Sequence, residues 1–388
     1  MKKNKNELHR YTAFFMIVFI LITIIPPKQI YATEFADTVN AKSAILMEAS
    51  SGMVLYEQNA DQALPPASVT KIMTLLLVME AVDNGNISMS DLVTVSDNAA
   101  SMGGSQVYLE SGEQMSVEDM IKSVVVSSAN DAAVALAEHI AGSEASFVSM
   151  MNSKAAALGM KNSHFENTNG LDDNVTNHLI SARDIAIMSR ELLKHEKILE
   201  YTTIWQDSIR DGAFTLSNTN RLIRFYEGAN GLKTGSTSKA KFCISATAKR
   251  DGMQLICVIM GAPTRDIRNA EAKKLLDFGF ANYGVYTYSP EEIANIKIVG
   301  GVSDQTMLIS GGFSCVLEKG KINSVKKEYI YDQSYPAPVK SGQDIGKVTF
   351  YLDSEKIGEC EIIASNTIDK ISFGDVLYRI LNKMASIF

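Results

Sequence analysis

The distribution of apolar positions predicts strands at both ends of a mainly helical segment. Residues 44–47 and 53–56 are apolar runs separated by a Ser-Gly pair, a pattern typical of two strands joined by a turn. Residues 72–79 are apolar almost all round and predict a buried helix. The periodicity is then mostly helical to about residue 199, and residues 239–262 form a predicted hairpin. With a further helix at 268–278, this order predicts an α+β domain: an antiparallel sheet flanked by helices, beside an α-rich lobe.

The chain changes character after residue 285. Short β-type runs separated by turns occur at 296–299, 313–317, 328–331, 347–352 and 361–363. Regular spacing of such runs without helical stretches predicts a small all-β domain over residues 286–370. This region contains no cluster of catalytic-type side chains, so we expect it to act as a spacer or a protein contact.

The N-terminus carries a targeting pattern. Four basic residues precede an apolar run at 14–25, two prolines follow the run, and Ala32 offers a small residue for cleavage. This order predicts a secretory signal peptide over residues 1–32, because the apolar run is shorter than the roughly 20 residues of a membrane-spanning helix. An uncleaved N-terminal anchor is the alternative.

The C-terminus predicts an amphipathic helix. Apolar residues recur every three or four positions over residues 371–388, with polar residues on the opposite face. A helix of this kind either lies in a membrane interface or docks on the protein's own core. Basic residues on the polar face and the predicted export favour the membrane.

Composition narrows the classes of function. The formal net charge of the 388 residues is −7, so the basic surface typical of nucleic-acid binding is not expected. Four cysteines, none in a Cys-x-x-Cys pair, and five scattered histidines argue against a disulfide scaffold, a metal site or a bound haem. We expect Trp205 to lie in the core, and the following histidines to be surface or capping groups: His139, His164, His178 and His195.

A candidate nucleophile stands before the buried helix. The pattern Ser-x-x-Lys, which places an amine one helical turn from a hydroxyl, occurs four times, and only Ser68 opens a predicted helix. There Lys71 can take the serine proton if burial or a second cation lowers its proton affinity. The free N–H groups of the helix start also face developing negative charge. An isolated match of this kind is more often a capping serine followed by a solvated lysine.

A second cation and a substrate edge are predicted near residue 235. Lys233 and Thr234 lead into a predicted strand and offer a positive charge and a hydroxyl to a substrate carboxylate. Gly235 has no side chain, so a substrate backbone has room to lie against this edge. Taken alone, the tripeptide is an ordinary turn with a solvated charge.

A proton relay is predicted at one of two Ser-x-Asn sequences. These begin at Ser96 and at Ser128. We choose Ser128 with Asn130, because this pair lies just before a predicted helix and farther along the chain from the nucleophile. Ser96 is interpreted as a helix cap.

The ordered trio of motifs indicates a known family. Ser-x-x-Lys, then Ser-x-Asn, then Lys-Thr-Gly is the set found in β-lactamases and penicillin-binding proteins. The sequence resembles the low-molecular-mass penicillin-binding proteins, specifically the exported serine-type D-alanyl-D-alanine carboxypeptidases, over nearly the whole chain after residue 32. Two stretches, 100–105 and 218–223, are similar to the branch associated with endospore formers. The likeness also includes residues 42–44, 52–56, 66–74, 130–132, 231–235 and 261–263.

The resemblance implies a fold and an activity. It implies a penicillin-binding-protein/β-lactamase-like transpeptidase domain over residues 33–285, followed by the all-β domain. The implied reaction removes the terminal D-alanine from peptidoglycan stem pentapeptides through an acyl-enzyme, and β-lactam antibiotics acylate the same serine. The implied location is the outer face of the cytoplasmic membrane, with peripheral attachment through residues 371–388. No cofactor or metal is implied.

The resemblance also implies roles for individual residues. The catalytic residues would be Ser68 as nucleophile, Lys71 as its base and Ser128 as the relay of a proton to the leaving D-alanine. The N–H groups of Ser68 and Ser236 would form the oxyanion hole. The substrate-binding residues would be Asn130, Lys233, Thr234, Gly235, Ser236 and Arg268.

Two positions depart from the family pattern. Ala129 stands where the family usually has glycine. If that position requires a positive φ, alanine costs on the order of 1 kcal/mol and displaces Ser128. Ser236 stands where histidine or an aromatic residue is common, which predicts a more open pocket.

Other functions are weighed against this one. A β-lactamase needs a second base for the deacylating water, and the nearest candidate, Glu166, is interpreted as a surface residue of a loop. Other active-serine acyl transfer, such as endopeptidase action, is a related alternative. A non-catalytic cell-wall-binding protein would typically lack one of the residues Ser68, Lys71 and Lys233, and all three are present.

Overall fold

The computed structural model describes residues 35, 37–173 and 175–385. The predicted signal peptide, residues 1–32, lies outside the described residues, as do the last three residues of the predicted terminal helix. The described chain from Phe35 onward is one compact unit.

The first lobe contains a sheet, a helical insertion and a long closing helix. Its elements are β1 (Ser43–Glu48), β2 (Val54–Gln58), a 3₁₀ turn (Ala67–Thr70), α1 (Lys71–Asp83), β3 (Leu92–Thr94), α2 (Asp97–Ala100), β4 (Gln114–Ser116), α3 (Val117–Val126), α4 (Asn130–Ala141), α5 (Glu144–Ala157), β5 (Ser163–His164), β6 (Leu179–Ile180), α6 (Ala182–Leu192), α7 (Ile198–Thr202), β7 (Gln206–Ile209), β8 (Phe214–Ser217), α8 (Leu222–Phe225), β9 (Ala229–Thr237), β10 (Lys241–Arg250), β11 (Met253–Ala262) and α9 (Arg265–Asn282).

Both ends of this lobe meet in one antiparallel sheet, which confirms the predicted arrangement. The strand order is β2-β1-β11-β10-β9, so β9 is an edge strand. Successive residues of a strand face opposite sides of the sheet. Ile45 on β1 therefore packs on the helical lobe around α1, whereas its neighbour Leu46 packs on α9. The predicted hairpin is β10–β11, and the buried helix is α1.

The closing helix is longer than predicted and continues directly into the second domain. α9 begins at Arg265, because the side chain of Thr264 accepts a hydrogen bond from the N–H of Ile267 and caps it. It ends at Asn282, and the next residue already belongs to a strand. The Lys319 ammonium, from the following domain, donates to the carbonyl of Phe280 at 2.7 Å.

The second domain is all-β, as predicted. Its elements are β12 (Tyr283–Tyr288), β13 (Glu292–Val299), β14 (Gln305–Ser310), β15 (Phe313–Glu318), a 3₁₀ helix (Lys319–Ser324), β16 (Lys326–Tyr331), β17 (Ser334–Pro336), β18 (Asp344–Leu352) and β19 (Glu355–Ala364), and the terminal helix α10 (Phe373–Ala385) follows it. The sheets have the orders β12-β15 and β16-β18-β19-β14-β13-β17. The strand β12 crosses the predicted boundary at residues 285/286, because its Tyr283 packs into the core between the sheet and α9 of the first lobe.

The terminal helix does not bury its apolar face. Phe373 is 85% exposed, Leu377 47% and Leu381 56%. The alternative that this helix docks on the protein's own core is therefore wrong for the described residues. Among these residues, no helix has the length and apolar composition needed to cross a bilayer.

Candidate active site

Ser68 lies in the 3₁₀ turn that leads into α1. The Lys71 amine lies 2.9 Å from the Ser68 hydroxyl oxygen, as expected for residues one turn apart. The turn is shaped by a neighbouring loop: a Cβ on Gly170 would lie 1.9 Å from the carbonyl oxygen of Ala67, so this contact requires glycine. Ala67 itself has φ of +50°. The nucleophile candidate therefore sits on a turn that the loop holds from behind.

The Lys71 amine is fully buried and contacts three oxygen atoms. Besides Ser68, it contacts the side-chain oxygen of Asn130 at 2.5 Å and the backbone carbonyl of Asn169 at 2.9 Å. The Asn130 amide nitrogen donates to the carbonyl of Gly103 at 2.6 Å, which fixes the side-chain oxygen toward Lys71. A neutral amine has two hydrogens and one lone pair. With the two carbonyl oxygens taking the hydrogens, the lone pair is left facing the Ser68 hydroxyl.

Two effects favour the neutral amine. Burial holds the pKa of Lys71 well below its ordinary value, and the charge of Lys233 lowers this pKa further. The carboxylate of Asp131 opposes both. Lys71 therefore fits the electrostatic requirement for a general base.

A second hydroxyl–amine pair lies across the groove. The Lys233 ammonium donates to the Ser128 hydroxyl at 2.8 Å and to the carbonyl of Thr234 at 3.0 Å. Burial, with the nearby charge of Arg268, lowers the pKa of Lys233 to about 7.

The loss of stability expected from alanine at position 129 does not arise, so that prediction is wrong. The φ of Ala129 is −55°, and the positive φ of +63° belongs to Ser128. Ala129 therefore occupies an ordinary backbone conformation at the start of α4.

Gly235 also meets a packing requirement that the sequence does not predict. A Cβ at this position would lie 2.8 Å from the carbonyl oxygen of Pro66 and 2.9 Å from the backbone nitrogen of Ser68. The glycine thus lets the edge strand β9 pack directly against the start of the nucleophile helix, and space for a substrate backbone at this position stays a prediction. This close approach brings Ser68 and the exposed Ser236 to the same groove.

The groove is a cavity of about 620 Å³ whose lining includes six of the nine predicted site residues: Ser68, Ser128, Thr234, Gly235, Ser236 and Arg268. The other three reach it through contacts with these residues, since Lys71 and Asn130 are linked to Ser68 and Lys233 is bonded to Ser128. Arg268 is almost fully buried and donates to the carbonyl of Cys243 at 3.3 Å. The structure brings the whole predicted set together.

Several residues near the site were missed or misassigned. Trp205, expected in the core, lines the cavity instead. Asn169 contacts Lys71 through its backbone carbonyl alone, so no pattern of side chains in the sequence points to it. Ser96, in contrast, caps α2 as predicted, accepting from the N–H of Ala99 at 3.0 Å.

His178 is buried, so its assignment as a surface or capping group is wrong. Its Nδ1 accepts the N–H of Glu166 at 2.9 Å, which leaves the ring proton on Nε2, 2.8 Å from the Thr70 hydroxyl oxygen. The histidine thereby joins the turn of Ser68 to the loop that carries the Asn169 carbonyl. Burial lowers the pKa of His178 to about 4, against the opposing charges of Glu166 and Asp172 and with the help of His164.

This buried histidine predicts a loss of stability in mild acid. The unfolded chain binds a proton near pH 6.5 and the folded chain only near pH 4, so the free energy of unfolding falls as the pH drops between these values. We expect the wild type to lose about 2 kcal/mol more than a His178→Gln variant between pH 7 and pH 4.5. Urea denaturation of both proteins at the two pH values measures this. Equal losses in the two proteins would contradict the role given to His178.

The fold and this arrangement of serine and amines define the class of active-serine acyl-transfer proteins. Family comparison agrees. The family described as D-alanyl-D-alanine carboxypeptidase matches residues 30–264, and the C-terminal domain of penicillin-binding protein 5 matches residues 291–370. The chain belongs to the D-alanyl-D-alanine carboxypeptidase family: it is a low-molecular-mass penicillin-binding protein and a serine-type D-alanyl-D-alanine carboxypeptidase.

Individual relatives support the same assignment. The D-alanyl-D-alanine carboxypeptidase DacF of Bacillus subtilis is 45% identical over 346 residues, which cover 87% of this chain and 88% of the relative. The crystal structures of penicillin-binding protein 5 from Haemophilus influenzae match at a TM-score of 0.70 and 34% identity, over 86% of this chain and 99% of that one. Penicillin-binding protein D2 from Listeria monocytogenes, in its ampicillin-bound form, matches at a TM-score of 0.58 and 33% identity, over 62% of this chain and 98% of that one.

Proposed function

We propose that Ser68 is the nucleophile of the carboxypeptidase reaction and Lys71 its general base. The observation that carries this proposal is the buried Lys71 amine, 2.9 Å from the Ser68 hydroxyl, with carbonyl oxygens at its other two contacts. The lone pair of this amine takes the hydroxyl proton as the oxygen attacks the carbonyl between the two terminal D-alanines. The N–H groups of Ser68 and Ser236 stabilise the oxyanion that forms.

The leaving D-alanine receives its proton from the second pair. Ser128 passes a proton to the departing amine, and the Lys233 ammonium, 2.8 Å away, orients the Ser128 hydroxyl and restores its proton. Lys233, Thr234 and Arg268 bind the terminal carboxylate: Thr234 and Arg268 line the groove, and the Lys233 ammonium contacts the carbonyl of Thr234. The side-chain amide of Asn130 donates one hydrogen to the carbonyl of Gly103. It donates its second hydrogen to the amide carbonyl on the acyl side of the substrate.

The acyl-enzyme is released by water. Attack by water on the ester frees the shortened stem peptide and regenerates the Ser68 hydroxyl. β-Lactams acylate Ser68 by the same first step, and a similar protein, penicillin-binding protein D2 from Listeria monocytogenes, has a structure in the ampicillin-bound form. The test compares labelling by a fluorescent penicillin and release of D-alanine from diacetyl-L-Lys-D-Ala-D-Ala in the wild type and a Ser68→Ala variant.

A β-lactamase function is less well supported. The Glu166 carboxylate accepts the N–H groups of Thr176 and Asn177, at 3.0 and 2.9 Å, and does not line the cavity. It therefore holds its own loop instead of presenting a base to a water beside Ser68.

We also propose that the mature protein has the three predicted parts: an acyl-transfer domain over residues 33–285, an all-β domain over residues 286–370 and a terminal helix over residues 371–388. The terminal helix attaches the protein to the outer face of the cytoplasmic membrane. The polar face of α10 contacts the all-β domain, because the Arg379 guanidinium donates a hydrogen bond to the carbonyl of Val302. The large apolar side chains of the helix stay exposed. An exposed apolar face of this length suits a lipid interface.

Interrupting this face is expected to release the protein from membranes. Replacing both Leu377 and Leu381 by Glu removes two large apolar groups from one helix face, so binding to lipid vesicles should fall by about a hundredfold or more. Deleting residues 371–388 should have the same effect on membrane fractionation. The matched control, Asn382→Glu, adds charge on the polar face and should keep most of the binding. Membrane association that survives the deletion would point to a retained N-terminal anchor.

Membership of the endospore-former branch is a further proposal. It is supported by the identity of 45% with the Bacillus subtilis relative, compared with 33% for the Escherichia coli carboxypeptidase DacA.

A further inference from the structure

A second cavity lies in the all-β domain, apart from the active-site groove. It has a volume of about 450 Å³ and is lined by residues at the end of β16, in the following segment up to β17, and at the start of β18. None of the residues that line it also lines the groove around Ser68. Its volume falls within the range of pockets that hold small ligands. The proposed reaction makes no use of this cavity.

The last pairing between β16 and β18 borders the cavity. There Tyr331 lies opposite Gly346. A Cβ on Gly346 would lie 2.3 Å from the carbonyl oxygen of Ile330 and 2.8 Å from the Cβ of Tyr331. The glycine therefore lets the two strands approach closely, and no side chain at this position occupies the cavity.

Two aromatic rings line the cavity and are held in place by the domain. Tyr331 and Tyr335 are partly buried, and each packs against the core of the all-β domain. The Tyr335 hydroxyl also accepts a hydrogen bond from the side-chain amide of Gln343 at 3.3 Å. Both rings are thus positioned before a ligand arrives. Aromatic rings beside polar groups suit the C–H face of a sugar ring, which is apolar on its face and polar at its edge.

The charged groups of the cavity favour a ligand without negative charge. The side chains of Asp332 and Asp344 are exposed there, and one Asp344 oxygen accepts the N–H of Gly346 at 3.1 Å. Among the residues that the structure describes, neither carboxylate has a basic nitrogen within 4.0 Å, since Lys347 pairs with Glu359 at 3.1 Å. A carboxylate accepts hydrogen bonds and donates none. The cavity therefore offers free acceptors to hydroxyl and amide donors and repels anions.

We propose that this cavity binds a neutral polymer of N-acetylated sugars, the glycan strand that carries the stem peptides of peptidoglycan. The sugar rings lie against Tyr331 and Tyr335, and their hydroxyl and acetamide N–H groups donate to Asp332 and Asp344. A muramyl residue that carries a stem peptide has its carboxyl group in an amide bond, so a strand bearing stem peptides is largely neutral. Anionic wall polymers and anionic lipid headgroups do not match the two carboxylates.

The inference goes beyond the proposed function, because sugar binding needs neither Ser68 nor Lys71. A strand held by the all-β domain raises the local concentration of its stem peptides around the first lobe. The gain is confined to polymeric substrates, since a free stem peptide has no sugar to bind. The all-β domain thereby acts as a substrate-binding module in addition to a spacer.

The first test measures sugar binding by the full chain. Isothermal titration uses chitotetraose, a neutral tetramer of N-acetylglucosamine. We expect the wild type to bind it, and Asp332→Ala and Tyr335→Ala to bind it about tenfold more weakly, a difference of 1.4 kcal/mol. The matched control is Tyr329→Ala, which removes an exposed tyrosine of the same strand that does not line the cavity, and its affinity should be unchanged.

Penicillin labelling and a thermal transition count the folded protein in each preparation, so a poorly folded Tyr335→Ala does not affect the result from the exposed Asp332. Absence of tetramer binding by the wild type would overturn the inference, as would equal affinity in Asp332→Ala. Tighter binding of poly(glycerol phosphate), an anionic polymer, than of the tetramer would also overturn it. A Ser68→Ala variant should bind the tetramer as the wild type does.

The second test compares polymeric and small substrates. Asp332→Ala should release D-alanine from intact, pentapeptide-rich sacculi about threefold or more slowly than the wild type. Its rate on diacetyl-L-Lys-D-Ala-D-Ala should be unchanged. Equal slowing on both substrates would place the effect in the catalytic lobe and contradict the inference. Absence of D-alanine release by the wild type would instead overturn the proposed function, and the titration would still decide whether the cavity binds sugar.

Discussion

A Ser68→Ala variant should neither form a covalent adduct with a fluorescent penicillin nor release D-alanine at a measurable rate. The expected loss in kcat is on the order of 10⁴-fold or more, because the whole reaction passes through an ester on this oxygen and the remaining groups have no nucleophile to act on. Gel fluorescence measures the adduct, and a coupled assay measures D-alanine. The Lys71 amine is unchanged in this variant, so the folded state should persist and be visible as a cooperative thermal transition.

The chain offers a matched control for this experiment. Ser238 also begins a Ser-x-x-Lys sequence, but it is exposed in the turn between β9 and β10. Ser238→Ala should label and release D-alanine as the wild type does. Labelling that survives in Ser68→Ala, or disappears in Ser238→Ala, would show that the nucleophile has been placed wrongly.

Replacing Lys71 by glutamine should slow acylation by about 10²- to 10⁴-fold while keeping Ser68 in place. The amide can still fill the space between Asn130 and Asn169, but it has no lone pair basic enough to accept the hydroxyl proton. Stopped-flow acylation by penicillin as a function of pH measures the effect. In the wild type the rate should fall as the pH decreases through the lowered pKa of Lys71, since protonation removes the lone pair. The variant should lack this acid limb.

The second lysine provides the control for that pH profile. Lys233 helps to lower the pKa of Lys71, so Lys233→Gln should raise that pKa and move the acid limb to higher pH. A Lys71→Gln variant that keeps more than about a tenth of the wild-type acylation rate would contradict the role of Lys71 as base. So would an acid limb that does not move when Lys233 is replaced.

The sequence predicts the elements that depend on local periodicity. The hairpin β10–β11, the buried helix α1 and the one-turn spacing of Ser68 and Lys71 all follow from side-chain patterns within a few residues. The contact between Lys233 and Ser128 follows from no local pattern, since 105 residues separate the two. It is predicted only because the order of the three motifs resembles that of a known family.

The features that the sequence did not predict arise from backbone contacts between distant segments. The carbonyl of Asn169 orients Lys71, and a backbone carbonyl leaves no trace in residue type. The positive φ near the relay belongs to Ser128 and not to Ala129, because the short connection between α3 and α4 sets the backbone conformation there. His178 is polar and follows a turn, yet it is buried because its ring bridges two loops. The close packing of Gly235 against Pro66 and Ser68 likewise joins segments that are distant in the sequence.

The direct passage from α9 into β12 has a geometric consequence. Asn282 ends the helix and Tyr283 begins the strand, so no linker separates the first lobe from the all-β domain that precedes α10. If α10 lies on lipid as proposed, the groove around Ser68 is held at a fixed distance from the bilayer. We then expect the enzyme to trim stem peptides at that distance from the membrane, and to leave those nearer to it or farther from it uncut.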